Sequence, residues 1–87
     1  MIVTAFVLEM LPPGGSPEYW PEGFGFDTHT HATEITSAKR FPSALAAMRA
    51  GNGYRRPAAF WESERRHAAL MREKFDRWRF AAIEMEE

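Results

Sequence analysis

Arg79-Phe80-Ala81-Ala82-Ile83-Glu84-Met85 is the stretch on which the fold turns. Taken with Trp78 before it, it continues a helical stripe, since Trp78, Ala82 and Met85 fall at spacings of four and three. Taken alone, it reads as a strand and resembles Thr4-Ala5-Phe6-Val7-Leu8-Glu9-Met10 near the other end of the chain. The strand is preferred. Ile2 to Glu9 is itself β-branched and aromatic, bounded by a turn cluster, and reads as a strand buried on both faces. Such a strand needs partners, and an isolated hairpin of three-residue strands makes a poor sheet.

The elements between these two stretches follow from local signals. Leu11-Pro-Pro-Gly-Gly-Ser-Pro17 is a loop. Glu18-Tyr19-Trp20 and Phe24-Gly25-Phe26 read as a small hairpin around Pro21-Glu22-Gly23, with Gly23 free to take positive φ. Phe41 precedes Pro42 and is expected to be extended, and Ser43 caps a two-turn helix, Ala44 to Ala50, stopped by Gly51-Asn52-Gly53. Pro57 opens a longer helix whose apolar residues Trp61, Ala68, Met71, Phe75 and Trp78 form its buried stripe. The expected fold is α+β in a single domain, 1–87: a small antiparallel sheet of N-terminal strand, short hairpin and C-terminal strand, packed against one short and one long helix.

Bulk composition narrows the function classes. A chain of 87 residues buries only roughly 60–65% of its unfolded surface, so the core is thin. With 45% hydrophobic residues, three tryptophans and seven phenylalanines, it has the apolar content to fold unaided. The absence of cysteine excludes disulfides, thiolate nucleophiles and Cys-type zinc sites, and fits a reducing compartment. The apolar start, Met1 to Met10, has no basic residue ahead of it and stops at Pro12, which is neither a signal peptide nor a membrane span. A cytoplasmic location and no membrane association are expected.

The net charge of −1 hides three blocks. Residues 1–38 carry five acids and no Lys or Arg, residues 39–79 carry eleven bases against four acids, and residues 80–87 carry three acids. Glu18, Glu22, Asp27 and Glu34 of the first block are candidates for meeting a basic partner surface, such as a nucleic-acid-binding groove where carboxylates take the place of phosphates. Tyr19 and Trp20 are the candidate aromatic anchor beside them. In the basic block, Arg55, Arg56, Arg65, Arg66 and Arg72 lie among Tyr54, Phe60, Trp61 and Trp78, as in a phosphate-contacting surface with stacking platforms. Glu62 and Arg66 at i,i+4 spacing fit an ordinary solvated helix equally well.

Asp27, His29 and His31 alternate as metal ligands on a strand do. Phe26 to His31 resembles the opening signature of amidohydrolase-type metal-dependent hydrolases. That resemblance covers six residues, and the barrels that carry it need about 250. With His67 the only other histidine, the bland reading of a solvated or structural segment is preferred, and no metal or cofactor is expected. No serine sits in a nucleophile-elbow context, and no enzymatic site is expected.

The order of features, a starting strand, Tyr19-Trp20 with Gly23-Phe-Gly-Phe26, Ala38-Lys39-Arg40-Phe41-Pro42-Ser43 into an alanine-rich helix, then a charged helix, resembles small proteins of bacteriophages and prophages. What the resemblance implies is a compact protein that binds a host macromolecule, as inhibitors of CRISPR effector complexes do. The expected function is therefore a non-enzymatic inhibitor that occludes a surface on a host protein or ribonucleoprotein, acting as monomer or homodimer, in the host cell cytoplasm if the chain is phage-encoded. Two alternatives stay open: a nucleic-acid-binding accessory protein using the basic segment 39–79, and a small metal-dependent hydrolase.

Overall fold

The structure is a computed structural model and describes residues 4–23 and 31–86. Its elements are β1 (Thr4–Leu11), β2 (Glu18–Tyr19), α1 (Ala44–Arg55), α2 (Glu62–Phe75) and β3 (Arg79–Glu86). The three strands form an antiparallel sheet in the order β2-β1-β3. The C-terminal stretch is a strand: eight residues of β3 pair with all eight of β1, from Thr4↔Glu86 to Leu11↔Arg79. The α+β expectation holds.

β1 is the central strand because both of its edges are used. β3 lies along one edge. On the other, Glu9 and Met10 pair with β2, the Trp20 N–H donates to the Leu8 carbonyl at 3.1 Å, and Phe6 and Phe41 exchange both backbone bonds at 2.9 and 2.7 Å. Phe41 is thus extended before Pro42, and the Ser43 side chain then caps α1 by accepting from the Ala46 N–H at 3.1 Å. Alternation along the strands sets Leu8 and Met10 toward the helices, where they join Phe41 and Ala47 in the core with Phe80 and Ala82 of β3 packed against them. Ala5 and Val7, on the opposite face, are buried as well.

Three sequence expectations are corrected. Gly51-Asn52-Gly53 does not stop α1, which runs through it to Arg55. The reason is packing: Gly51 is buried, and a Cβ there would sit 2.7 Å from Phe80 Cδ2 and 2.8 Å from Leu8 Cδ2. Only a glycine lets the helix approach the two strands this closely. Second, Pro57 does not open α2, which begins at Glu62 after an extended Trp61. Pro57 lies before it, with its carbonyl accepting from Arg72 Nη2 at 2.9 Å. Third, Trp61 is not core. It is 70% exposed, whereas Ala68 and Phe75 of the same stripe are 1% and 0% exposed.

α2 is held by its second half. Glu62 to His67 are all exposed, and Ala68 is the first buried residue. Glu62 and Glu64 in the first turn and Arg72 and Lys74 in the last complement the helix dipole, which supports the projecting end. The expected hairpin is only partly visible: Gly23 has φ +71° as anticipated, but Phe24 to Phe26 lie outside the described residues. The returning chain bridges Tyr19 through Ala32 and Pro21 through Ala38.

Two pairs of substitutions test this packing by urea unfolding. Gly51→Ala should lower stability by about 1 kcal/mol, because overpacking costs roughly 1–3 kcal/mol and exceeds the helix gain of about 1 kcal/mol. Gly53→Ala, where the added Cβ meets nothing within 4 Å beyond its chain neighbours and its own helix backbone, should stabilise by about 0.5–1 kcal/mol. Phe75→Ala should cost about 3–5 kcal/mol, and Trp61→Ala less than about 0.5 kcal/mol.

Candidate functional site

The sheet register brings three chemistry-bearing residues together. Glu18 opposes Met10 and therefore lies on the helix side of the sheet. The Tyr19–Ala32 bridge sets His31 beside Trp20 on that same side. Tyr54 descends from the last turn of α1, a position it holds only because the helix continues through Gly51-Asn52-Gly53. The His31 Nδ1 is 3.0 Å from Glu18 Oε1, and its Nε2 is 3.3 Å from the Tyr54 hydroxyl. A neutral imidazole satisfies both contacts at once, with Nδ1–H donating to the carboxylate and Nε2 accepting from the phenol.

Aromatic rings enclose this chain of hydrogen bonds. The His31 ring meets Tyr54 at 5.5 Å and Trp78 at 6.0 Å, both edge to face, and the Phe75 ring at 6.2 Å in a tilted contact. Phe75 also packs against Tyr54 and Trp78, each at 4.9 Å, and Trp20 meets Tyr54 edge to face at 5.5 Å. The His31 side chain is left only 6% exposed, and that of Glu18 33%. Burial, and secondarily the Glu18 charge, push the Tyr54 phenol above its ordinary pKa. The carboxylate orients the imidazole and the imidazole receives the phenol, an arrangement able to hold or pass a proton. With the imidazole sealed by rings, its evident work is to satisfy polar groups within an aromatic core.

The sequence-predicted residues fall apart into different settings. Glu18 is committed to His31, whereas Glu22 and Glu34 are exposed and Asp27 lies outside the described residues. Tyr19 is half-buried in β2, and Trp20 packs against the core. Of the metal candidates, Asp27 and His29 lie outside the described residues, and His31 is turned inward to Glu18 and Tyr54. Among the described residues no group of three His, Asp or Glu is placed to hold a metal.

Four of the five arginines have a partner within the chain, although only Arg55 is half-buried and the others are exposed. Arg55 Nη2 donates to the Asp76 carbonyl at 3.1 Å, with its guanidinium 5.3 Å from the Phe80 ring centre. Arg56 pairs with the Asp76 carboxylate at 3.3 Å, Arg66 lies 3.8 Å from Glu62, and Arg72 holds the Pro57 carbonyl. Arg65 is exposed. Sequence reasoning named Phe60 and Trp61 as stacking platforms beside the arginines and set Trp61 on the core stripe, but not as a surface pair; among the described residues they are the most exposed large apolar side chains, at 78% and 70%. The available signal was Pro57, whose carbonyl belongs to a linker and not to a first helical turn.

Replacing Tyr54 by Phe should cost about 1 kcal/mol near neutrality, because the His31 Nε2 loses its donor. The raised phenol pKa fixes the sign of the pH effect. The Tyr54 contribution is intact below the unfolded value of about 10 and is lost as pH rises through that value and the higher folded one. The stability gap between wild type and Tyr54→Phe should therefore narrow above pH 10 in urea titrations, and a constant gap would contradict the assignment.

Comparison with protein-family models, with curated proteins and with solved structures finds no match to this chain.

Proposed function

We propose that this is a small non-enzymatic binding protein that covers a surface of a macromolecular partner, with Phe60 and Trp61 as its anchor. The observation that carries the reading is that these two adjacent aromatics are 78% and 70% exposed at the head of a helix whose first six residues are also exposed. Large aromatic side chains left in water forgo roughly 1.5–3 kcal/mol each of burial, and they are the residues that dominate interfaces when a partner covers them. Glu62, Glu64, Arg65 and Arg66 next to the pair supply a charged rim of both signs, which suits a protein surface. Inhibition of a host defence complex, the work implied by the likeness to small phage proteins, is a narrower form of the same proposal, with a protein or ribonucleoprotein as the partner. No helix among the described residues is long and apolar enough to cross a membrane.

Nucleic acid is the second reading, favoured by the exposed Arg65 near Trp61. It is the weaker one, because Arg55, Arg56, Arg66 and Arg72 each have a partner within the chain.

Affinity capture from a bacterial lysate, with and without nuclease, separates the two. The expected outcome is a protein retained after nuclease treatment and lost at least about tenfold with Phe60→Ala/Trp61→Ala, the scale of a hot spot worth 1.4 kcal/mol or more. Retention unchanged by the double substitution would overturn the anchor. Loss on nuclease treatment, with binding that falls steeply as salt is added, would establish the nucleic-acid reading instead.

A further inference from the structure

α2 meets the rest of the chain along one side. Ala68 and Phe75 are buried there, with Met71 half-buried between them. The opposite side of the helix carries Glu62, Arg66, Ala69, Leu70 and Glu73, all of them exposed, Leu70 at 64%. Arg77 keeps the same spacing just past the helix end and lines a shallow cleft together with Glu73. Glu62 and Arg66 are a loose pair at 3.8 Å whose side chains are 84% and 80% exposed. Among the described residues, neither Glu73 nor Arg77 has an ion-pair partner.

The order of charges along this stripe identifies what fits it. From Glu62 to Arg77 it runs acid, base, Ala69, Leu70, acid, base, at spacings of four, three, one, three and four. Reversed, the spacings are unchanged and the sign at every charged place is opposite. The stripe is therefore complementary to a second copy of itself running the other way, centred between Ala69 and Leu70. Glu62 then faces Arg77 of the second copy, Arg66 faces Glu73, and each pair occurs twice about the two-fold axis. Their helical spacing puts these residues on one face, so the facing pairs lie along a single seam. Sliding the copy by one turn sets Arg66 against Arg77 in one direction and Glu62 against Glu73 in the other. Parallel alignment in register stacks like charge on like throughout.

We infer that the chain forms a homodimer in which α2 packs antiparallel on α2 of a second copy along this stripe. Leu70 of each copy meets Leu70 of the other beside the axis, and the small Ala69 lets the two helices approach. The aliphatic stem of Arg66 adds apolar cover to the leucines. Each helix start lies beside the other helix's end, so the dipoles are opposed favourably. Because the buried side of α2 faces away from the seam, the sheet of each copy stays on the outside. Exposed ion pairs contribute little singly and the seam is short, so the association is weak, and the charges set its orientation and register.

The seam contains neither Phe60 nor Trp61, so its failure and that of the aromatic anchor are separate results. Sedimentation equilibrium at about 500 µM protein and about 20 mM salt should give a mass approaching twice the 10.0 kDa chain mass, falling toward the monomer on dilution and in about 500 mM salt. Arg66→Glu sets acid against Glu73 of the second copy, and Glu73→Arg sets base against its Arg66. Each substitution alone should weaken association at least about tenfold, with circular dichroism unchanged. Mixed together, the two variants are complementary along the whole seam and should form a heterodimer of about the original strength. A chain carrying both substitutions should dimerise with itself again, which parallel pairing does not allow. A monomer at that concentration overturns the inference. So does a dimer that both single substitutions leave unchanged, or a mixture and a doubly substituted chain that both stay monomeric.

Discussion

The eight-residue ladder between β1 and β3 is the constraint on which the rest of the molecule rests. It joins Thr4 to Glu86, nearly the full length of the chain, so it is the least local contact in the fold and the one with the largest closure entropy. Its register determines everything above it. A slip of one residue would turn Leu8, Met10, Phe80 and Ala82 away from the helices and leave α1 without a floor. What holds the register is shape. Gly51 fits against Leu8 and Phe80 together, so α1 seats only where these two side chains stand side by side.

Phe75 plays the corresponding part for α2. It is fully buried, and its ring touches His31, Tyr54, Trp78 and Phe80, which come from the returning chain, α1, the final turn and β3. The helix is thereby fixed at its C-terminal end while its N-terminal half projects. The same ring contacts leave His31 with almost no exposed surface, so core packing and polar satisfaction are one arrangement. Removing the carboxylate, the imidazole or the phenol would leave a neighbour unsatisfied in an apolar setting.

Much of the fold was legible because its signals are local. Phe41 before Pro42, Ser43 at a helix start and positive φ at Gly23 each depend on a few neighbouring residues. The C-terminal strand was legible by necessity, since an apolar first strand must find a partner. Gly51-Asn52-Gly53 misled for the opposite reason: local chemistry reads it as a stop, but Gly51 answers to atoms of Leu8 and Phe80, some thirty to forty positions away in sequence. Trp61 misled because spacing places a residue on a helical stripe without showing where the helix begins. Glu18, His31 and Tyr54 are separated by 13 and 23 positions, and no periodicity links them. Glu18 and His31 were visible as chemistry, as an acidic contact and as a metal ligand, but only the Tyr19–Ala32 bridge reveals that each has the other as partner.

The contrast between sealed and exposed groups bears on what the surface does. A thin core would gain from burying Trp61, and one more helical turn before Glu62 would set it on the stripe that already buries Ala68 and Phe75. The chain instead runs extended through Trp61, with Pro57 tied to Arg72, and the helix starts late. The arginines nearby are spent on the same local frame: Arg55 and Arg56 hold Asp76 at the end of α2. Charge in this segment thus fixes where α2 stands, and apolar area at its head is left exposed. Under the proposed binding function, such a surface would draw its affinity from the two rings and its orientation from the mixed charges around them.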